Sequence, residues 1–425
     1  MKAESLIESI RSNTLEELVL SRGGAVFRSP RKDEFVCSLV DAIACNTSIK
    51  SAVLSDFVMG RDSFIGILKA VSKLPNLEKL GLYASHNVVI PVHIIVDILS
   101  AATVGSGKQA PASELKRQQL SLSPCSRSSA SKLKHLNVIN GLGFRSQDEI
   151  DALSHALKNH PTLIEVGLLD LDCVSDREDS NSNDKEEEQD NMIGHNSEHR
   201  PSHRQQHHHA VVVAKRQAQR LSLDPLFHAL STINNLETVD ITLSTRFMSN
   251  MKRLSNSCIT GLFGRGDRRN DNNSKSNNSS SNLLDVSLWH VRLDDGHLRA
   301  ALPAIQSHPT LKFLSLRSNP NITQNAWRSD FLKMLEHNYV LVSVYTDMAC
   351  SKFDKQLSTL LKLNQIGRGT LMQDGIEAGV SDDDAPATTT SRDDWIGFLD
   401  RISHDVDSVY YLLRTDPVKV LFAVD

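Results

Sequence analysis

The feature that most constrains this chain is a phrase that recurs along it: apolar, two others, apolar, one other, apolar. It reads Leu15-Leu18-Leu20, Ile49-Ala52-Leu54, Leu77-Leu80-Leu82, Leu133-Leu136-Val138 and Leu163-Val166-Leu168 in the first half. It continues as Leu236-Val239-Ile241, Leu283-Val286-Leu288, Leu311-Leu314-Leu316 and Leu341-Val344-Thr346, nine copies in all. From Ile49 to Leu77 and from Leu283 to Leu311 the step is 28 residues, and from Leu133 to Leu163 and Leu311 to Leu341 it is 30. Three longer steps contain tracts of a different composition: 105–131 rich in Ser, Gly, Pro and Gln, 175–220 charged and rich in Asn and His, and 264–282 dominated by Asn, Ser, Arg and Asp. Removing each tract brings its step back near one period. Self-similarity at a fixed period is the mark of an architecture in which one unit buries its apolar face only against the next.

Between phrases the apolar period changes from two to about 3.6, the switch expected from strand to helix. Phe35 to Ile43, Ile65 to Val71, Ile150 to Leu157, Leu298 to Ile305 and Phe331 to Leu335 carry the helical spacing. Turns with Asn, His or Pro follow: Cys45-Asn46-Thr47-Ser48, Leu74-Pro75-Asn76, Asn159-His160-Pro161-Thr162 and Ser307-His308-Pro309-Thr310. Such residues stop a helix and start the next strand. The expected fold is α/β: a curved parallel sheet on a concave side, helices on the convex side, about nine repeats.

This pattern resembles the ribonuclease-inhibitor-like class of leucine-rich repeats, which alternate full helices with short strands at about this period. Leu311-Lys312-Phe313-Leu314-Ser315-Leu316-Arg317-Ser318-Asn319 is the copy nearest the family phrase, terminal Asn included. In the other copies that Asn is usually replaced, with Phe57, Ser85, Leu171 or Arg292 nearby, which leaves the loop after the strand undefined. The resemblance covers residues 14 to 350. It implies a binding scaffold rather than any one partner. Because some members of the class stimulate nucleotide hydrolysis by small GTPases, it also implies regulation of a small GTPase as an alternative.

The expected organisation is a cap helix over 1–13, the repeats with their three low-complexity insertions over 14–372, an acidic linker over 373–391 and a helical cap over 392–425. The cap reading rests on Trp395-Ile396-Gly397-Phe398-Leu399 and Val409-Tyr410-Tyr411-Leu412-Leu413-Arg414. The insertions lack the apolar residues to pack and read as disordered.

A formal net charge of -4 excludes a strongly basic field, so no nucleic-acid partner is expected. No apolar run reaches the roughly 20 residues of a membrane span, and the start of the chain lacks a signal-peptide apolar region. Six cysteines, Cys37, Cys45, Cys125, Cys173, Cys258 and Cys350, have no tight pairing and read as reduced thiols. Together these imply a cytoplasmic or nuclear protein without a membrane partner.

Catalytic motifs are missing. Gly105-Ser106-Gly107-Lys108 resembles the end of a phosphate loop, but Ala102 and Gln109 stand where a Gly and a Ser or Thr are required. His195, His199, His203, His207, His208 and His209 lie in a polar tract without regular ligand spacing, so no metal and no cofactor is implied. No nucleophile-bearing turn is present, and the chain reads as a non-enzyme.

The recognition surface follows from alternation. Residues between and just after the last two apolar positions of each phrase face the side away from the helices. The first row is Val19, Val53, Gly81, Asn137, Gly167, Asp240, Ser287, Ser315 and Tyr345; the second is Ser21, Ser55, Tyr83, Ile139, Leu169, Thr242, Trp289, Arg317 and Asp347. With neighbouring strands roughly 4.8 Å apart, Trp289, Arg317, Tyr345 and Asp347 are expected to cluster as anchors for a protein partner, with Tyr83 and Asp240 on the same surface. Trp, Tyr and Arg are the types enriched in binding hot spots. The competing reading packs Trp289 and Tyr345 locally or under the C-terminal segment.

Overall fold

A computed structural model describes residues 3–20, 32–56, 60–85, 88–100, 132–174, 220–264, 282–348, 351–368, 400–405 and 408–409. The sequence insertions at 105–131, most of 175–220 and most of 264–282 lie outside these residues, as do the expected linker and most of the C-terminal cap.

Strands and helices alternate. In chain order they are α1 Ala3–Arg11, β1 Glu17–Leu20, α2 Lys32–Ala44, β2 Ser51–Ser55, α3 Arg61–Val71, β3 Lys79–Tyr83, α4 Val92–Ser100, β4 His135–Ile139 and the short β5 Gly143–Phe144. Then come α5 Gln147–Lys158, β6 Glu165–Cys173, α6 Asp224–Thr232, β7 Thr238–Leu243, α7 Thr245–Asn250, α8 Asn256–Phe263, β8 Asp285–Trp289 and α9 Asp295–Gln306. The last are β9 Phe313–Ser315, a π-helical segment Ala326–Phe331 running into α10 Leu332–His337, β10 Ser343–Tyr345 and α11 Ser351–Ile366.

All ten strands are parallel. β1, β2, β3, β4, β6, β7, β8, β9 and β10 lie side by side in chain order, and β5 adds to the far end of β6. An open parallel sheet with helices in its crossovers is compatible with an α/β repeat solenoid. Every tested phrase registers with the next: Leu18 opposite Ala52, Ala52 opposite Leu80, and onward to Leu314 opposite Val344.

One face of the sheet is covered. The apolar residues of the phrase point to it, so Leu18, Leu54, Leu80, Leu136, Val166, Leu168, Val239, Leu288 and Leu314 are buried. They meet the apolar sides of the helices, such as Phe64, Ile67 and Leu68 of α3 and Ile150, Leu153 and Leu157 of α5, in one continuous cluster. At roughly 25 cal/mol per Å² of apolar surface, each such side chain contributes about 1.5–3 kcal/mol.

The helix-to-strand turns are held by buried polar side chains at the position three residues before the phrase. Asn46 donates to Ile10 O at 2.6 Å and accepts from the Ser48 and Ile49 N–H groups, each at 2.8 Å. Asn338 donates to Ile305 O at 2.8 Å and accepts from Val340 and Leu341 N–H at 3.0 and 2.8 Å. His308 Nδ1 accepts from Thr310 and Leu311 N–H in the same way. One side chain thus satisfies the start of a strand, and in the two Asn cases it also reaches back to the preceding helix-to-strand turn or helix end. Buried Asn46 is therefore a structural residue of the turn.

At the far end, fully buried Arg368 donates to Leu335 O, Asn338 O and Asn364 Oδ1, each at 3.1 Å, and lies 5.0 Å from the Tyr339 ring centroid. Beyond α11, Ile402 is buried and Asp405 pairs with Lys362 at 2.7 Å. Among the described residues, no helix is long and apolar enough to cross a membrane.

Candidate binding face

Among the described residues, no helix covers the other face of the sheet, where Val19, Trp289 and Tyr345 are exposed. Strand alternation turns toward it the residues between the apolar ones, and these fall into three rows. The first expected row forms without a break: Val19, Val53, Gly81, Asn137, Gly167, Asp240, Ser287, Ser315 and Tyr345 are successive register partners. The second is interrupted. Ser55, Tyr83, Ile139 and Leu169 are partners, but the register between β6 and β7 shifts after Leu168, and Thr242 and Trp289 then resume the pairing. Arg317 and Asp347 lie just past the ends of β9 and β10, and Ser21 lies outside the described residues.

A third row was not anticipated. One position before the second apolar residue of each phrase, Glu17, Ser51, Lys79, His135, Glu165, Thr238, Asp285, Phe313 and Ser343 are also successive partners. The same alternation applied two residues earlier would have found it.

The large hydrophobic side chains exposed among the described residues are Val19 at 51%, Tyr83 at 38%, Trp289 at 45%, Phe313 at 41% and Tyr345 at 50%. All five belong to these three rows. Scattered exposure needs no explanation; five of five on one face does.

The expected C-terminal cluster is formed in part. The Arg317 guanidinium lies 5.5 Å from the Tyr345 ring centroid, and His290 N–H bonds Arg317 O at 3.3 Å beside Trp289. Asp347 is turned to a structural task, accepting the Ser318 N–H. Ser318 needs it because its φ is 55°, in the left-handed region, as are Asn140, Asp170 and His290 at the same place, two residues after the last apolar residue of their phrases. Asn, Asp and His tolerate that conformation best. Asn319, buried, donates to Leu288 O, Leu316 O and Arg317 O and accepts from Leu293 N–H. Where Asn is replaced at this position, Leu171 and Val291 are simply buried.

Charge is handled differently along the face. Near its start, Lys50 pairs with Glu16 at 3.1 Å and Lys134 with Glu78 at 2.9 Å along one edge of the strands. Toward the middle, Glu165 accepts from His135 at 2.9 Å and from Asn137 Nδ2 at 2.6 Å. Burial pushes the Glu165 carboxyl up, but the hydrogen bonds from Asn137 and His135 and the His135 charge bring it below the usual value. Gly167 permits this reach: a Cβ there would stand 2.1 Å from Asn137 Oδ1.

Asp240 and Asp285, on the next two strands, have no cationic partner among the described residues. Burial holds the Asp240 carboxyl above the usual range; a hydrogen bond with Ser287 opposes this and the Glu165 charge adds to it. Burial and then the Asp240 charge raise Asp285 likewise.

At the strand ends beside Trp289 a cleft of about 500 Å³ is lined by Asp170, Asp172, Thr242, Arg246 and His290, among others. The Thr242 hydroxyl is shielded from solvent and has no hydrogen-bond partner among the described residues. Asp172 is committed to Ser244 Oγ at 2.9 Å. Among the described residues no group of three or more His, Cys, Asp or Glu side chains is placed to hold a metal ion; His195 to His209 lie outside them. Cys37, Cys45, Cys173 and Cys258 are free thiols.

No protein-family model matches the chain. No curated protein matches it either. Among solved structures it is similar to the leiomodin-1 actin-binding site 2, at 12% identity and a TM-score of 0.26, over 36% of this chain and 79% of that one.

Proposed function

We propose that this chain is a leucine-rich repeat solenoid of the ribonuclease-inhibitor-like kind, and that it is a non-catalytic scaffold binding a protein partner on its open, concave face. The observation that carries the reading is that, among the described residues, all five exposed large hydrophobic side chains occupy this face and that three of them, Trp289, Phe313 and Tyr345, stand on the last three strands. Apolar surface kept in water on one side of an otherwise well-packed sheet is the signature of a contact made elsewhere. Asp240, Trp289, Arg317 and Tyr345 are the contact residues in this reading, Asp347 shapes the loop that carries Arg317, and Tyr83 stands on the same face nearer its other end. The setting is a cytoplasmic or nuclear one.

The test is affinity capture with the intact chain and with Trp289→Ala/Arg317→Ala, their folds compared by circular dichroism. A partner retained by the first and lost by the second supports the reading; equal capture of every partner removes it. Activation of a small GTPase remains the alternative carried over from the family resemblance. Single-turnover GTP hydrolysis that is faster with the chain than without it would favour that alternative.

A further inference from the structure

We propose that the open face from β7 to β10 receives an extended segment of the partner protein in which Lys or Arg side chains stand next to aromatic or aliphatic ones. The inference rests on the open face being the binding surface, and adds which half of it works and what chemistry it selects.

Three observations carry it. First, Asp240 and Asp285 sit on adjacent strands with no cationic partner among the described residues, while the carboxylates at the start of the sheet, Glu16 and Glu78, are each neutralised by a lysine of the chain itself. Arg292 donates to Met248 O at 2.7 Å, and Arg317 lies over Tyr345. A positive group arriving from outside relieves repulsion that the fold leaves in place. Second, the acidic pair is bordered by apolar surface. Phe313 is the register partner of Asp285, and Tyr345 is one strand further on. From β7 to β10 the span is roughly 14 Å, the reach of about four extended residues. A short segment thus touches both kinds of surface, and Trp289, 45% exposed, also offers a ring face to a cation. Third, a cleft of about 500 Å³ opens at the strand ends beside Trp289, with Asp170 and Asp172 in its lining, and gives one side chain of the segment a place to enter. The same carboxylates repel a phosphate backbone, which points to a protein partner and away from nucleic acid.

The experiment selects random linear peptides displayed on phage against the full-length chain, then measures the selected peptides by fluorescence anisotropy. The variants are Asp240→Asn/Asp285→Asn, Trp289→Ala and Tyr83→Ala, each checked by circular dichroism and thermal melting. The expected peptides carry Lys or Arg beside an aromatic or aliphatic residue. Their affinity falls about tenfold or more with Asp240→Asn/Asp285→Asn and with Trp289→Ala, weakens as salt is raised, and is unchanged by Tyr83→Ala. Peptides without basic residues, indifferent to the double Asn variant yet lost with Trp289→Ala, would overturn the chemistry and leave the binding face standing. Dependence on Tyr83 alone would place the site on the other half and overturn the location. Selection of no peptide, or binding equal in every variant, would remove the open face itself as the working surface.

Discussion

The two faces of the sheet are built from alternate residues of the same strands, and they obey different rules. On the covered face the residue type repeats: Leu, Val, Ile or Ala from Leu18 through Val344, each register-matched to the next. On the open face no type repeats: one row alone runs from Glu17 through Lys79, His135 and Asp285 to Phe313 and Ser343. The covered face must fill a shared column, so a change in one strand is felt by its neighbours. The open face is packed locally, as where Gly167 makes room for Asn137, and its residue types vary strand by strand. A second contrast runs along the sheet: Glu16 and Glu78, beside its first strands, pair with lysines, while Asp240 and Asp285 on later strands have no cationic partner among the described residues.

Breaking the covered face has the largest expected effect. Leu168→Ala, fully buried on a central strand, is expected to cost about 2–5 kcal/mol in chemical denaturation. A cost as small as that of an exposed site would mean that the two faces do not differ in this way.

Acid should distinguish the faces next. Burial pushes the His160 imidazole down to about 4, from an ordinary value of 6.5. It is therefore neutral in the fold while the unfolded chain takes up a proton below 6.5, so its stabilisation is complete above that pH and lost as pH falls toward about 4. The displacement corresponds to about 3 kcal/mol. His160→Asn, placing there the residue found at positions 46 and 338, should remove this part of the acid sensitivity in melts run between those pH values. An unchanged pH profile would show that the loss lies elsewhere.

Asn338→Ala probes the polar edge where strand and helix layers join. It leaves the Val340 and Leu341 N–H groups and the Ile305 carbonyl without their shared partner, at an expected cost of about 2 kcal/mol. The smallest effect belongs to the open face: Trp289→Ala should change stability by no more than about 0.5 kcal/mol. A large loss there would make Trp289 a packing residue and weaken its place in binding.

How much of this was legible in the sequence also divides by face. The covered face was legible because burial imposes periodicity, and the phrase Leu283-Val286-Leu288 marks both the strand and its register. The first open row followed from the same alternation. The second did not survive intact, because the register with β7 shifts after Leu168, where Asp170 takes a left-handed φ of 58°, and no periodicity records that. Phe313, Glu165 and Asp285 were missed by reading the alternation in one direction only. The role of Asp347 was hidden for a different reason: the left-handed turn at Ser318 calls for an acceptor from the next strand, a contact that spacing within one phrase does not reveal. Likewise the buried Asn and His residues of the turns looked like helix stops, and their cross-strand bonding needed the neighbouring unit to be seen.

The central claim is that the later strands of the open face meet a partner. Hydroxyl-radical footprinting of the chain with and without a saturating selected peptide tests it directly, with buried Trp327 as the internal reference. The account predicts that oxidation of Trp289, Phe313 and Tyr345 falls in the complex while Tyr83 is unchanged. Protection confined to helix residues on the opposite side, with those three aromatic side chains oxidised as before, would contradict it.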